Sequence, residues 1–212
     1  MNGEGEGDPR MWLSARYPKT AFAVGVIGVV CGVIPAFDMP AVPYAGFGPM
    51  PRIGVDTVML SLCGILMCRC LMSRMPIVDA VSGRDLGGYC ALSAMVMLCY
   101  AALAPTAWLI GRDIWIAFPV VVLNIVFSLT VTTMAMIAVA LFGRVGCVIA
   151  MCAAGCALFT LPWQPRWLGF SLLPMDLGDH VLIRLAVCAL LGLCAVLGWH
   201  RSRLGAAPLL LG

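Results

Sequence analysis

The side chains with the widest chemical repertoire in this sequence are its eleven cysteines. Thiols that bind metal or exchange disulfides usually come as CxxC pairs, which bring two sulfurs to one side of a turn. No CxxC occurs here. The nearest approximations are Cys68 and Cys70 around Arg69, and Cys152 with Cys156 one helical turn on. Either pair offers soft ligands or a dithiol, with only His180 and His200 at hand as imidazole ligands. Cys31, Cys63, Cys90, Cys99, Cys147, Cys152, Cys156, Cys188 and Cys194 sit within apolar runs, where a thiol serves as a small packing residue. A secreted disulfide scaffold would frame its cysteines in polar loops instead.

Other catalytic constellations are missing from the sequence. There is no GxxxxGK[ST] phosphate loop, and Lys19 is the sole lysine. There is no HExxH, no GxSxG and no paired-aspartate motif of a membrane phosphotransferase. His180 and His200 bracket the last apolar run, so they cannot share one haem. No catalytic, cofactor-binding or metal-binding residue is assigned, and any energy source must come from a partner. Basic residues are scattered, the net charge is +3, and nothing points to nucleic acid.

Ionisable and polar groups inside apolar runs are a different signal, because they are costly at membrane depth and by default mark function. Asp56 and Arg184 lie near the same ends of their runs and could pair, although Asp179 competes locally for Arg184. Asn124, Ser128 and Thr132 recur every four residues, with Thr133 adjacent. Such a stripe either lines a polar pathway or hydrogen-bonds to neighbouring helices.

The elements that hold these residues follow from composition. The chain has 212 residues, 62% hydrophobic and only 11% charged. Soluble domains carry roughly 25% charged residues. So few charges cannot cover a water-facing surface, and the expected solvent is lipid. A spanning helix needs about 20 mostly apolar residues. Six runs answer: 20–37, 53–72, 87–110, 115–142, 145–163 and 181–199. They are continuous rather than alternating, so they read as helices and not as barrel strands. The expected fold is therefore all-α and polytopic, with tails at 1–19 and 200–212 around a six-helix domain. The acidic, glycine-rich start MNGEGEGDPR is unlike the basic region of a signal peptide, so run one reads as a retained span.

Lysine and arginine bias sets orientation. Arg10, Arg16, Lys19, Arg69, Arg74, Arg84, Arg144, Arg201 and Arg203 flank one set of loops, against Arg52, Arg112 and Arg166 on the other. Nine against three puts both termini in the cytoplasm, as an even number of spans requires. Gly28 and Gly32 form a GxxxG, and Gly146, Ala150 and Ala154 repeat every four residues, both signs of close helix packing.

Three segments break the pattern. Residues 9–22 mix Trp12, Leu13 and Tyr17 with Arg10, Arg16 and Lys19, as an amphipathic entry piece at the headgroups would. Residues 73–89 are the most polar internal stretch, and Arg74, Asp79, Arg84 and Asp85 make them a docking loop or a solvated connector. The outer segment LPWQPRWLGFSLLPMDLGDH, residues 161–180, is too apolar for a loop and too broken by proline to span. Trp163, Arg166, Trp167 and Asp176 suit an interfacial or re-entrant element over 164–180, packed against protein.

This layout resembles the permease subunit of type-2 ATP-binding-cassette (ABC) exporters. The correspondence lies in the entry segment at 9–22, the coupling loop at 73–89 and the broken outer segment at 161–180, and it is architectural, without a residue motif. It implies a cell-membrane permease without enzymatic activity of its own, paired with a second permease subunit as homo- or heterodimer. Each half would bind a separate nucleotide-binding ATPase subunit. Two alternatives stand beside it: a non-transporting assembly, anchoring or immunity subunit, and a membrane thiol or metal redox enzyme.

Overall fold

The computed structural model describes residues 16–33, 38–40, 52–72, 87–110, 114–160, 181–203 and 208–209. Among them are six α-helices: α1 (Pro18–Val33), α2 (Val55–Leu71), α3 (Gly87–Leu103), α4 (Ile114–Phe142), α5 (Arg144–Thr160) and α6 (Val181–Arg201). The all-α expectation holds for the body of the fold. Helix α3 runs into a 3-10 turn, Ala104–Leu109, where Pro105 lacks the N–H that a further α turn would need. Helix α1 is described to Val33, and residues 34–37, expected to finish the first span, fall outside the described residues. Residues 161–163, expected to finish the fifth span, fall outside the described residues.

One feature was not expected. Asp38–Pro40 and Arg52–Gly54 pair as antiparallel strands, with Asp38 opposite Gly54 and Met39 opposite Ile53. The ladder leads directly into α2 at Val55.

Helix α4 is the axis of the bundle. It packs on α2, α3, α5 and α6 and on the 3-10 turn, while α1 reaches the bundle through α2 and the same turn. The shared core contains Ile65, Met97, Met136 and Trp199, all fully buried. Contacts fix the helix directions. Tyr17 N–H donates to Cys70 O at 3.1 Å, and Gly28 lies against Cys63, so α1 and α2 are antiparallel. Gly64 meets Thr132 and Met72 clusters with Val139, so α2 and α4 are parallel. Cys188 contacts Thr130 and Trp199 contacts Met136, which makes α6 parallel to α4 as well.

The start of α1 and the ends of α2, α4 and α6 therefore meet at one end of the bundle. Arg16, Lys19, Arg69, Arg144, Arg201 and Arg203 gather there, while among the described residues only Arg52 and Arg184 lie toward the other end.

The bundle is apolar on its outside as well as in its core, and its few buried hydroxyls lie within. Phe22 is 74% exposed, and Leu92, Leu103 and Leu190 are each more than 60% exposed, whereas Ser61, Ser128, Thr132 and Thr133 are buried. On α6 alone, Ile183, Leu185, Val187, Leu190, Leu193 and Leu197 face outward. Wetting six half-exposed side chains of this size forfeits roughly 5–10 kcal/mol, comparable to the whole stability of a domain. Such a surface calls for apolar surroundings. Among the described residues, two helical stretches, Gly88–Ala107 and Asn124–Phe142, are long and apolar enough to cross a membrane. Pro18–Cys31, Val58–Leu71, Arg144–Cys156 and Leu185–Arg201 are apolar but shorter.

Candidate functional site

The polar stripe of α4 lies in the interior of the bundle. Asn124, Ser128, Thr132 and Thr133 are all buried, and Thr130, which the four-residue spacing passes over, is buried with them. The hydroxyls divide into two groups. Thr130 Oγ1 donates to Val126 O at 2.8 Å and sits 3.4 Å from Cys188 Sγ of α6. Thr133 Oγ1 lies 2.8 Å from Leu129 O and 2.9 Å from Thr130 O. Both are satisfied on their own helix, the usual resort of a mid-helix threonine.

Ser128 Oγ and Thr132 Oγ1 have no partner among the protein atoms of the described residues. Thr132 Oγ1 turns toward Gly64 of α2, 2.7 Å from where a Cβ on that glycine would stand. A Cβ at Gly64 would force the Thr132 side chain to shift, so the glycine eases the close approach of α2 and α4. Because α2 and α4 run parallel, Ser61, one turn before Gly64, stands at the level of Ser128, one turn before Thr132. The result is a seam of small and hydroxyl-bearing residues between two helices. Such a seam can hold the helices together or present oxygen ligands to a polar guest.

A third unpartnered hydroxyl lies on α3. Tyr100 Oη of α3 reaches across to α1, where a Cβ on Gly28 would collide with it, and Cys63 lines the same spot. The expected GxxxG thus begins with a glycine that accommodates a tyrosine within the chain. Elsewhere, Trp199 Nε1 donates to Met136 O at 2.8 Å, and Ser93 Oγ lies 2.9 Å from Tyr89 O.

The remaining predicted residues stand as follows. Asp56 and Arg184 lie in the first turns of α2 and α6, whose contacts with α4 put both backbones near the level of Asn124; their side chains are outside the description. The loop residues Arg74, Asp79, Arg84 and Asp85, and the outer-segment residues Trp163, Arg166, Trp167 and Asp176, lie outside the described residues. Cys68 is buried and Cys70 half-buried, while Cys152 and Cys156 share the exposed face of α5. Among the described residues no three His, Cys, Asp or Glu side chains converge as metal ligands.

Sequence spacing alone missed Ser61, Gly64, Thr130 and Tyr100. The first two carry no periodic signal of their own and gain meaning only from the parallel pairing of α2 with α4. No protein-family model matches this chain, nor does any curated protein or solved structure.

Proposed function

We propose that the chain is a multi-pass integral protein of the cell membrane, with six spans and both ends of the helical domain cytoplasmic. We further propose that it is the permease subunit of an ATP-driven exporter and works with a separate nucleotide-binding subunit. The observation that carries the membrane assignment is the apolar exterior: leucines and valines face outward around a core that is itself apolar, with basic residues gathered at one end. Those six basic residues fit the cytoplasmic side by the positive-inside rule. The permease assignment rests on the resemblance in segment order and on the sequence having no phosphate-binding motif of its own. Residues 73–89 would take the push of the partner ATPase. A second copy, or a related permease subunit, would complete the pathway.

A second reading has one observation in its favour. The hydroxyl stripe is enclosed by α2 and α6 of the same chain, as it would be in a non-transporting anchoring or immunity subunit. One experiment separates the two. Purified from its native membrane in mild detergent, a permease brings a nucleotide-binding protein with it and stimulates its ATPase activity. Substitution of Arg74, Asp79 or Arg84 weakens that attachment. Recovery of the chain alone, or with a partner lacking ATPase activity, overturns the permease assignment.

A further inference from the structure

Helix α4 has one bare stripe. From Val131 to Ala140 every residue is buried except Met134, which is 40% exposed, and the half-buried Ile137 and Ala138. With half-buried Leu141 these fall at i, i+3, i+4 and i+7, on one side of the helix. Two neighbours flank that side. Helix α5 abuts α4 where Gly146 meets the backbone of Ala138 and Val139. Helix α6 abuts it where Cys188 meets Thr130, Trp199 meets Met136 and Gly198 comes against Ala140. Among the described residues α5 and α6 have little or no contact with each other. On a helical wheel the stripe lies between the two sets of contacts, so it floors an apolar groove walled by α5 and α6.

The groove opens at the basic end of the bundle. Arg144 begins α5 and Arg201 ends α6, so an exposed arginine stands on either side of the mouth. Exposed His200 and half-buried Arg203 flank Arg201. Among the described residues the only side-chain carboxylates, Asp38 and Asp56, lie at the opposite end.

We propose that this groove binds one anionic phospholipid, with an acyl chain along Met134, Ile137, Ala138 and Leu141 and the phosphate between Arg144 and Arg201. The inference rests on the membrane reading above and is independent of the permease reading. An apolar floor alone would suit any lipid tail, but cations on both sides of the mouth favour an anionic head over a zwitterionic one. Depth agrees. From Leu141 to Met134 the floor runs about 10 Å, within the roughly 15 Å of hydrocarbon in one leaflet. An extended peptide lying there would leave backbone groups unsatisfied, whereas an acyl chain has none. A second copy in the same orientation would bring its own basic end to this level, cation against cation.

The test uses the full chain in mild detergent, offered equimolar phosphatidylglycerol and phosphatidylcholine with the same acyl chains. Native mass spectrometry should show one phosphatidylglycerol retained per chain under conditions that strip phosphatidylcholine. Arg144→Gln combined with Arg201→Gln should weaken retention about 30-fold, equivalent to about 1 kcal/mol for each basic residue. Met134→Trp fills the floor at an exposed position and should weaken it about 10-fold, as displacing two methylenes would. Lys19→Gln, at the same end but on α1, should leave retention unchanged, and glycerol 3-phosphate, a head without chains, should not displace the lipid. Equal retention of the two lipids, or unchanged retention in either the double variant or Met134→Trp, overturns the site. So does displacement by glycerol 3-phosphate, or a loss in Lys19→Gln as large as in the double variant. Alkaline carbonate extraction of native membranes tells this failure from that of the membrane reading. A chain that stays in the pellet yet holds no anionic lipid refutes the groove alone, and a chain released to the supernatant refutes both.

Discussion

At the scale of single residues, three glycines have distinct tasks and one has none. A Cβ at Gly28 would run into the Tyr100 hydroxyl, at Gly64 into Thr132, and at Gly146 into the backbone of Ala138 and Val139. The first two neighbours are side chains and can yield; the third cannot. Gly155 has open space around it. Gly28→Val and Gly64→Val should each cost about 1–3 kcal/mol, the usual range for overpacking. Gly146→Val should cost more, and Gly155→Ala should gain up to about 1 kcal/mol from helix propensity. Thermal unfolding in detergent, read as a ranked series, checks this order. A Gly146→Val protein as stable as Gly155→Ala would contradict the close α4–α5 approach. The sequence showed Gly28 and Gly146 as members of small-residue repeats. Gly64 stands in no such repeat, so only the packed pair of helices reveals its role.

At the scale of elements, α4 is where sequence and structure agree best. Its four-residue period of Asn124, Ser128 and Thr132 was readable because a helix brings every fourth residue to one side. Which neighbour that side meets was not readable, since helices of this bundle are apolar nearly all round and carry no directional pattern. The strand pair before α2 escaped for a related reason: three residues per strand are too few to show alternation. The division of hydroxyls along α4 gives a sharp expectation. Thr132→Val removes an unpartnered oxygen at nearly constant volume and should leave stability unchanged or raise it. Trp199→Phe removes a buried N–H bond to Met136 O together with part of a fully buried ring, and should cost about 1–3 kcal/mol. Unfolding midpoints of the two variants measure the contrast. A Thr132→Val loss as large as that of Trp199→Phe would mean that Thr132 holds a polar guest in the native protein.

At the scale of the whole molecule, the exposed thiols report on the surroundings. Cys99, Cys152, Cys156 and Cys194 are exposed on α3, α5 and α6, where water would leave them open to any maleimide. Surrounded by lipid, they would lie out of reach of a charged reagent dissolved in water. A bulky, charged maleimide applied to native membranes should therefore leave these four unlabelled, and the same reagent should label them after solubilisation in denaturing detergent. Rapid labelling in intact membranes would instead require a water-facing bundle or a wet channel along those faces. The apolar exterior was legible in the composition at once, because only 11% of the residues are charged. The convergence of the six basic residues on one end was likewise foreshadowed by their positions along the chain. The contact of Cys147 with Met72 was not, since the two belong to different runs and neither stands out within its own.

The junction between α4 and α5 has a consequence for how the chain is made. Gly143 alone separates Phe142 from Arg144, with φ at 60°, a conformation that glycine adopts without steric cost. Its N–H donates to Val139 O at 2.8 Å, so the turn is closed within a single residue. During synthesis the two helices have no slack between them, and α5 must fold back on α4 as soon as it emerges. On the membrane reading proposed above, they would enter the bilayer as one hairpin, committed together or not at all. The joint is thus poorly able to accept an inserted epitope, a protease site or a fused domain.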